Sequence, residues 1–134
     1  MSLDSQISDF LAGGTFAVVG ASSDRAKYGN KVLRCYLQHS LTAWPVNPNE
    51  SIIEGLDAYA DLASLPGPVH GASIITQPAV TEKIVEHAAE TGITRLGMQP
   101  GAESDKAVAL AESLGLSVIS GGPCILVTLG YSDQ

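Results

Sequence analysis

Thr15-Phe16-Ala17-Val18-Val19-Gly20-Ala21-Ser22-Ser23 decides how this chain is read. Thr15 to Val19 fits a buried strand, Gly20 ends it, and small polar residues follow. Next comes a segment with Val32, Leu33, Tyr36 and Leu37 on one helical stripe. A strand, a short polar loop and an amphipathic helix open a βαβ unit, in which the helix returns the chain to start a parallel neighbour.

The same grammar holds on either side. Upstream, Ile7, Phe10 and Leu11 fall at i, i+3 and i+4, predicting a short helix from Asp4 to Leu11 that Gly13-Gly14 ends. Downstream, a second strand from Leu41 to Val46 stops at Asn47-Pro48-Asn49, because proline has no amide for the ladder. Trp44 within it is expected to pack under a helix. A long connection from Glu50 to Pro68 contains one possible helical turn at Asp61 to Leu65. The third strand runs from Val69 to Thr76, and Pro78 starts a helix with Val80, Ile84, Val85, Ala88 and Ala89 inward and Gly92 as its left-handed cap. Arg95 to Met98 is the fourth strand. A helix with Ala107, Val108, Leu110, Ala111 and Leu114 inward closes at Gly115, and Leu116 to Ile119 is the fifth strand. Five strands alternating with helices predict an α/β fold around a parallel sheet.

The 134 residues suit one domain spanning 1–134. Fourteen acidic residues against seven basic ones leave a net charge of −7 without a basic stripe, which argues against nucleic acid and anionic membrane surfaces as partners. No apolar run approaches the ~20 residues of a spanning helix, and Met1 to Gly14 lacks a basic, then apolar leader pattern, so a cytoplasmic protein is expected. Cys35 and Cys124 are expected to stay reduced, Cys35 as a packing residue. His39, His70 and His87 have no metal-ligand spacing, so no metal site is expected.

In an open parallel sheet, ligands sit beyond the carboxyl ends of the strands. Here those ends read Gly20-Ala21-Ser22-Ser23, Val46-Asn47-Pro48, Thr76-Gln77-Pro78, Gln99-Pro100-Gly101 and Gly121-Gly122-Pro123-Cys124. Gly20 to Ser23 before a helix is how such folds cradle a phosphate, although a plain tight turn with a serine cap has the same composition. Arg25, Lys27 and Lys31 gather three of the seven basic residues where phosphates would lie. A dinucleotide fingerprint is absent: the glycine slots hold Gly20, Ser22 and Arg25, and the second strand ends in Asn47-Pro48 rather than a carboxylate, which disfavours NAD.

The set Gly20-Ala21-Ser22, Lys27-Tyr28-Gly29-Asn30-Lys31-Val32, Pro45-Val46-Asn47-Pro48 and Met98-Gln99-Pro100-Gly101 resembles the small stand-alone CoA-binding proteins. It is also similar to the N-terminal nucleotide-binding domain of the succinyl-CoA synthetase α subunit, over about Phe16 to Ile125. The resemblance implies a Rossmann-like, doubly wound five-stranded parallel sheet in three α/β/α layers. It further implies coenzyme A or an acyl-CoA across the strand ends, with pyrophosphate near Gly20 to Ser23 and Lys27. Asn47 and Pro48 would lie beside the nucleotide, and Thr76, Gln77 and Pro78 would form the opposite wall. The synthetases carry their phosphohistidine in a further domain, so ligase activity is not expected here.

A carrier, sensor or regulatory module without catalysis of its own follows from the lack of a convergent acid, base or metal cluster. One rival is an enzyme using Cys124 in CoA-thiol or acyl-thioester chemistry, and another is a small NAD(P)-binding oxidoreductase. Many stand-alone members carry an Asp-Arg-Cys-like segment after the fifth strand; this chain has Gly122-Pro123-Cys124, without the arginine. The Tyr28 hydroxyl is placed to touch ligand or to sit on the surface. Apolar Ile125 to Leu129 needs covering, which makes a homodimer the expected assembly.

Overall fold

The computed structural model describes residues 3–120. In chain order the elements are α1 (Leu3–Leu11), β1 (Thr15–Val19), α2 (Tyr28–Gln38), β2 (Thr42–Val46), β3 (Ile52–Ile53), β4 (Leu56–Asp57), a 3₁₀ turn (Leu62–Ser64), β5 (Gly71–Ile74), α3 (Pro78–Glu90), β6 (Arg95–Met98), α4 (Asp105–Ser113) and β7 (Ser117–Ile119). Five strands form one sheet in the order β2-β1-β5-β6-β7. Every pairing is parallel, with Val19 opposite Val46 on one side and Ile74 on the other. The fold is therefore α/β, Rossmann-like and doubly wound. Its strand order reverses between β1 and β5, where this topology opens a crevice at the carboxyl ends.

Two cores flank the sheet. On one face, α1 and α2 cover Phe10, Phe16, Val18, Val32, Leu33, Tyr36 and Ala43. Phe16 stacks between Phe10 at 5.4 Å and Tyr36 at 4.7 Å. The Tyr36 hydroxyl shares a 2.5 Å hydrogen bond with Ser73 Oγ, and burial holds the phenol well above its ordinary pKa, so it stays neutral. On the other face, Ala17, Val19, Ala72, Ile74, Leu96 and Met98 pack on Val85 and Ala88 of α3 and Ala107 and Ala111 of α4. Cys35 is fully buried on α2, as the sequence predicts.

Three apolar side chains expected inside lie outside. Leu37 is 36% exposed, Val80 45% and Leu114 45%. Leu37 and Leu114 stand at or just past the C-terminal ends of α2 and α4, where the helix has run beyond the sheet it covers. The buried stripes instead use smaller residues, Thr81 on α3 and alanines on α4. The connection after β2 also holds more than one helical turn: β3 and β4 form a two-stranded antiparallel hairpin turning at Glu54 and Gly55, both with positive φ. Trp44, on the edge strand β2, is half-buried with its ring against Gly67.

At the amino ends of the strands α1 is pinned by directional contacts. Arg95 Nε pairs with Asp9 Oδ2 at 2.8 Å, and His70 Nε2 lies 2.6 Å from the Asp9 carbonyl oxygen. The Arg95 guanidinium holds the Asp9 carboxyl below its ordinary pKa.

Candidate functional site

Where the carboxyl ends of β1, β2 and β5 meet, a cavity of about 290 Å³ opens. Val19 and Gly20 supply its floor from β1, Val46 to Asn49 one side from β2, and Thr76 with Val80, Ile84 and His87 of α3 the other. Ala60 and Asp61 close the rim. The exposure of Val80 has its reason here, since it is an apolar wall of this cavity. The volume suits a nucleoside-sized group, at the lower end of the ~300–1,000 Å³ usual for small-molecule sites.

The β1–α2 loop can take only this path because two glycines let backbones approach. Gly20 has φ +93°, and a Cβ there would stand 2.6 Å from the Ile75 carbonyl oxygen. A Cβ on Gly29 would stand 2.1 Å from the carbonyl oxygen of Gly20, so the first turn of α2 presses directly on the loop.

Polar side chains fix the loop from three directions. Asn30, fully buried, donates to the Ser22 carbonyl at 2.8 Å and to Glu54 at 3.0 Å, and accepts from Arg34 Nε at 2.6 Å. Arg34, itself 6% exposed, donates to the Arg25 carbonyl at 3.1 Å. Asn47 Nδ2 donates to the Ala21 carbonyl at 2.8 Å. Glu50 reaches across from beyond β2: its carboxylate accepts from the Ser23 amide at 3.1 Å, from the Ser23 hydroxyl and from Asn47 Nδ2 at 3.2 Å. Several loop amides are thus already engaged, with Gly20 N–H bonded to Val46 O and Asp24 N–H to Ser22 Oγ.

Of the residues singled out in the sequence, Gly20, Asn47, Pro48 and Thr76 line the cavity together. Ala21 is the buried residue of the loop, Ser22 is half-buried and Ser23 exposed, and the loop turns after them at Arg25 and Ala26. Lys27 is exposed at the N-cap of α2, with half-buried Tyr28 and Lys31 beyond it. Arg25 is exposed and paired with Glu54 at 3.4 Å, which draws it toward the hairpin. Gln77 and Pro78 start α3: Gln77 is exposed and makes no capping bond. Thr76 Oγ1 is 2.7 Å from Thr81 Oγ1.

Gln99, Pro100 and Gly101 belong to the next loop along and do not line the cavity. Gln99 is buried, its Nε2 turned toward the Gly97 carbonyl at 3.4 Å. Gly101 has φ +93° and its amide meets Glu103 Oε1 at 3.3 Å. Cys124 and the Ile125 to Leu129 segment lie outside the described residues.

Sequence pattern alone does not mark Glu50, Glu54, Arg34, Asp61 or His87 as site residues. Glu50 and Glu54 act across long sequence separations that no local pattern encodes. The helical period does place Asn30 and Arg34 one turn apart, and that spacing could have exposed their pairing. Among the described residues no group of three or more His, Cys, Asp or Glu is placed to hold a metal ion, and no helix is long and apolar enough to cross a membrane.

Comparison with known proteins gives this geometry a setting. A conserved hypothetical protein from Pyrococcus furiosus superposes with a TM-score of 0.81 at 38% identity, covering 85% of this chain and 97% of that one. A hypothetical protein from Pyrococcus horikoshii OT3 shares the fold with a TM-score of 0.87 at 22% identity, over 95% and 89% of the two chains. The dinucleotide forming acetyl-coenzyme A synthetase 1 of Ca. Korarchaeum cryptofilum matches with a TM-score of 0.69 at 26% identity over 79% of this chain, which corresponds to 25% of that enzyme. No curated protein matches the sequence. Residues 14–130 match the CoA binding domain model, which spans most of the chain, and the chain belongs to that family.

Proposed function

We propose that the chain binds coenzyme A or an acyl-CoA across the carboxyl ends of β1, β2 and β5, and serves as a carrier, sensor or regulatory module without catalysis of its own. One observation carries the reading: segments remote in sequence, at Gly20, Asn47-Pro48 and Thr76, meet at a single cavity in a member of the CoA binding domain family. The adenine would lie in the cavity, against the apolar side chains of Val46 and Val80 that line it. The diphosphate would lie over Gly20 to Ser23 toward Lys27, and the pantetheine would run out past Gln77.

The donor set fits an anionic ligand. α2 begins at Lys27 with no side-chain cap and no acidic residue in its first turn, and α3 begins at Gln77 in the same way. Both helix starts therefore present partial positive charge that a phosphate satisfies.

The test is the thermal midpoint with and without saturating CoA, acetyl-CoA, NAD, NADP and ATP. Ligand at 100 times its Kd stabilises the folded state by about 2.7 kcal/mol. A shift selective for CoA or acetyl-CoA is expected, and acetyl-CoA left intact after incubation supports the non-catalytic role. A shift with nicotinamide cofactors alone overturns the reading.

A further inference from the structure

We infer that Glu50 is a built-in competitor for the ligand's phosphates, a carboxylate that a bound diphosphate must displace, so that it sets the affinity of the site. The inference rests on the proposed CoA site and concerns its control. Glu50 is three residues past Asn47, yet its carboxylate turns back onto the loop assigned to the diphosphate. There it takes three donors at once, the amide and hydroxyl of Ser23 and Nδ2 of Asn47. An N–H that faces one anion cannot serve another, and carboxylate and phosphate oxygens demand the same donors.

Glu50 is also unlike the other acids around the loop. Asp24 turns its carboxylate to the Ala26 amide within its own turn. Glu54 holds Arg25 and Asn30 and so buttresses the loop from behind. Glu50 alone among these three sits on donors from two different strand ends, Ser23 after β1 and Asn47 after β2, the latter a wall of the cavity, and so ties the proposed phosphate loop to the cavity's edge. With Glu50 on the loop the donors are satisfied without ligand; with Glu50 swung out they are available, and its charge moves away from the phosphates.

Calorimetric titration of the full chain with CoA tests this, using wild type, Glu50→Ala, Glu50→Gln and Asp24→Asn. Glu50→Ala removes the competitor, Glu50→Gln keeps a weaker neutral one, and Asp24→Asn removes one negative charge from the same loop without freeing those donors. The expected order of affinity is Glu50→Ala, then Glu50→Gln, then wild type. The alanine variant should bind about fivefold tighter, the scale of an exposed charge-assisted contact, and Asp24→Asn should change affinity less than twofold. A weaker Glu50→Ala variant means that Glu50 accepts from a ligand hydroxyl, and overturns the inference while leaving the CoA site standing. Equal gains for Asp24→Asn and both Glu50 variants also overturn it, since general charge relief then suffices. No CoA binding by any of the four chains overturns the site and the inference together.

Discussion

The starts of α2 and α4 are built on opposite principles. α4 is closed by its own chain: Ser104 Oγ accepts from the Ala107 amide at 3.0 Å, donates to Glu82 at 3.1 Å, and Asp105 supplies negative charge to the first turn. α2 begins at a lysine, without a side-chain cap and without an acid. Its first turn is instead wedged under the β1–α2 loop through Gly29 and stitched to it through Asn30 and Arg34. α4 satisfies its first amides with its own cap, whereas α2, which follows the Gly20 loop, is held by its sides and leaves its end without a capping side chain. α3, whose Val80, Ile84 and His87 line the cavity, follows α2 in lacking a cap.

The largest effect is expected where the wedge is tightest. Gly29→Ala drives a methyl against the Gly20 carbonyl and should cost about 3 kcal/mol in denaturant unfolding, with loss of the CoA-induced thermal shift. Asn30→Ala leaves Arg34 Nε without its acceptor and frees the Ser22 carbonyl. A loss of about 2 kcal/mol is expected, again with weakened CoA binding. Ser104→Ala should cost about 1 kcal/mol and leave CoA affinity unchanged, because α4's cap serves stability alone. Lys27→Ser should do the reverse, adding up to about 1 kcal/mol by capping α2 while weakening CoA binding and flattening its salt dependence. If Lys27→Ser and Ser104→Ala shift CoA affinity alike, the distinction between the two helix starts fails.

The smallest effect lies at the far end of the sheet. Arg95 lowers the pKa of Asp9 from its ordinary 3.8, so the pair stabilises the fold when Asp9 is ionised. Wild type should therefore exceed Asp9→Asn in thermal midpoint at neutral pH. That advantage should persist down to about pH 3.8 and disappear as the pH falls through the lowered value, with CoA affinity the same in both chains at neutral pH.

Strand and helix periods made the five-stranded sheet legible, because each strand is a short β-branched run between loops with glycine or proline. Thr15 to Val19 and Arg95 to Met98 match the observed β1 and β6 end for end. The β3–β4 hairpin escaped because two-residue strands carry no alternation, and its turn uses Glu54-Gly55 rather than the Asn-Gly or Asp-Gly pair that advertises a hairpin. Leu37 and Leu114 show the limit of a helical stripe: periodicity tells which residues share a face, but not where along the helix burial stops, and Val80 shows that a residue of that face can line a cavity instead of the core.

At the site, the glycine and Asn-Pro positions were legible because backbone geometry restricts them to few residue types. Glu50 was not. Its carboxylate acts on Ser23, 27 positions earlier, through a contact that exists only once β1 and β2 lie side by side. Asn47, not a carboxylate, stands at the end of β2, but the fold brings the carboxylate of Glu50 to the loop from four positions beyond Val46.

Trp44 is the single tryptophan of the chain, placed on the edge strand two residues before the cavity wall at Val46. Half-buried against Gly67, its indole occupies a border between protein and solvent. The molecule consequently has an optical probe of its own on the strand that supplies one side of the cavity, and its emission is a label-free signal to record while CoA is titrated in.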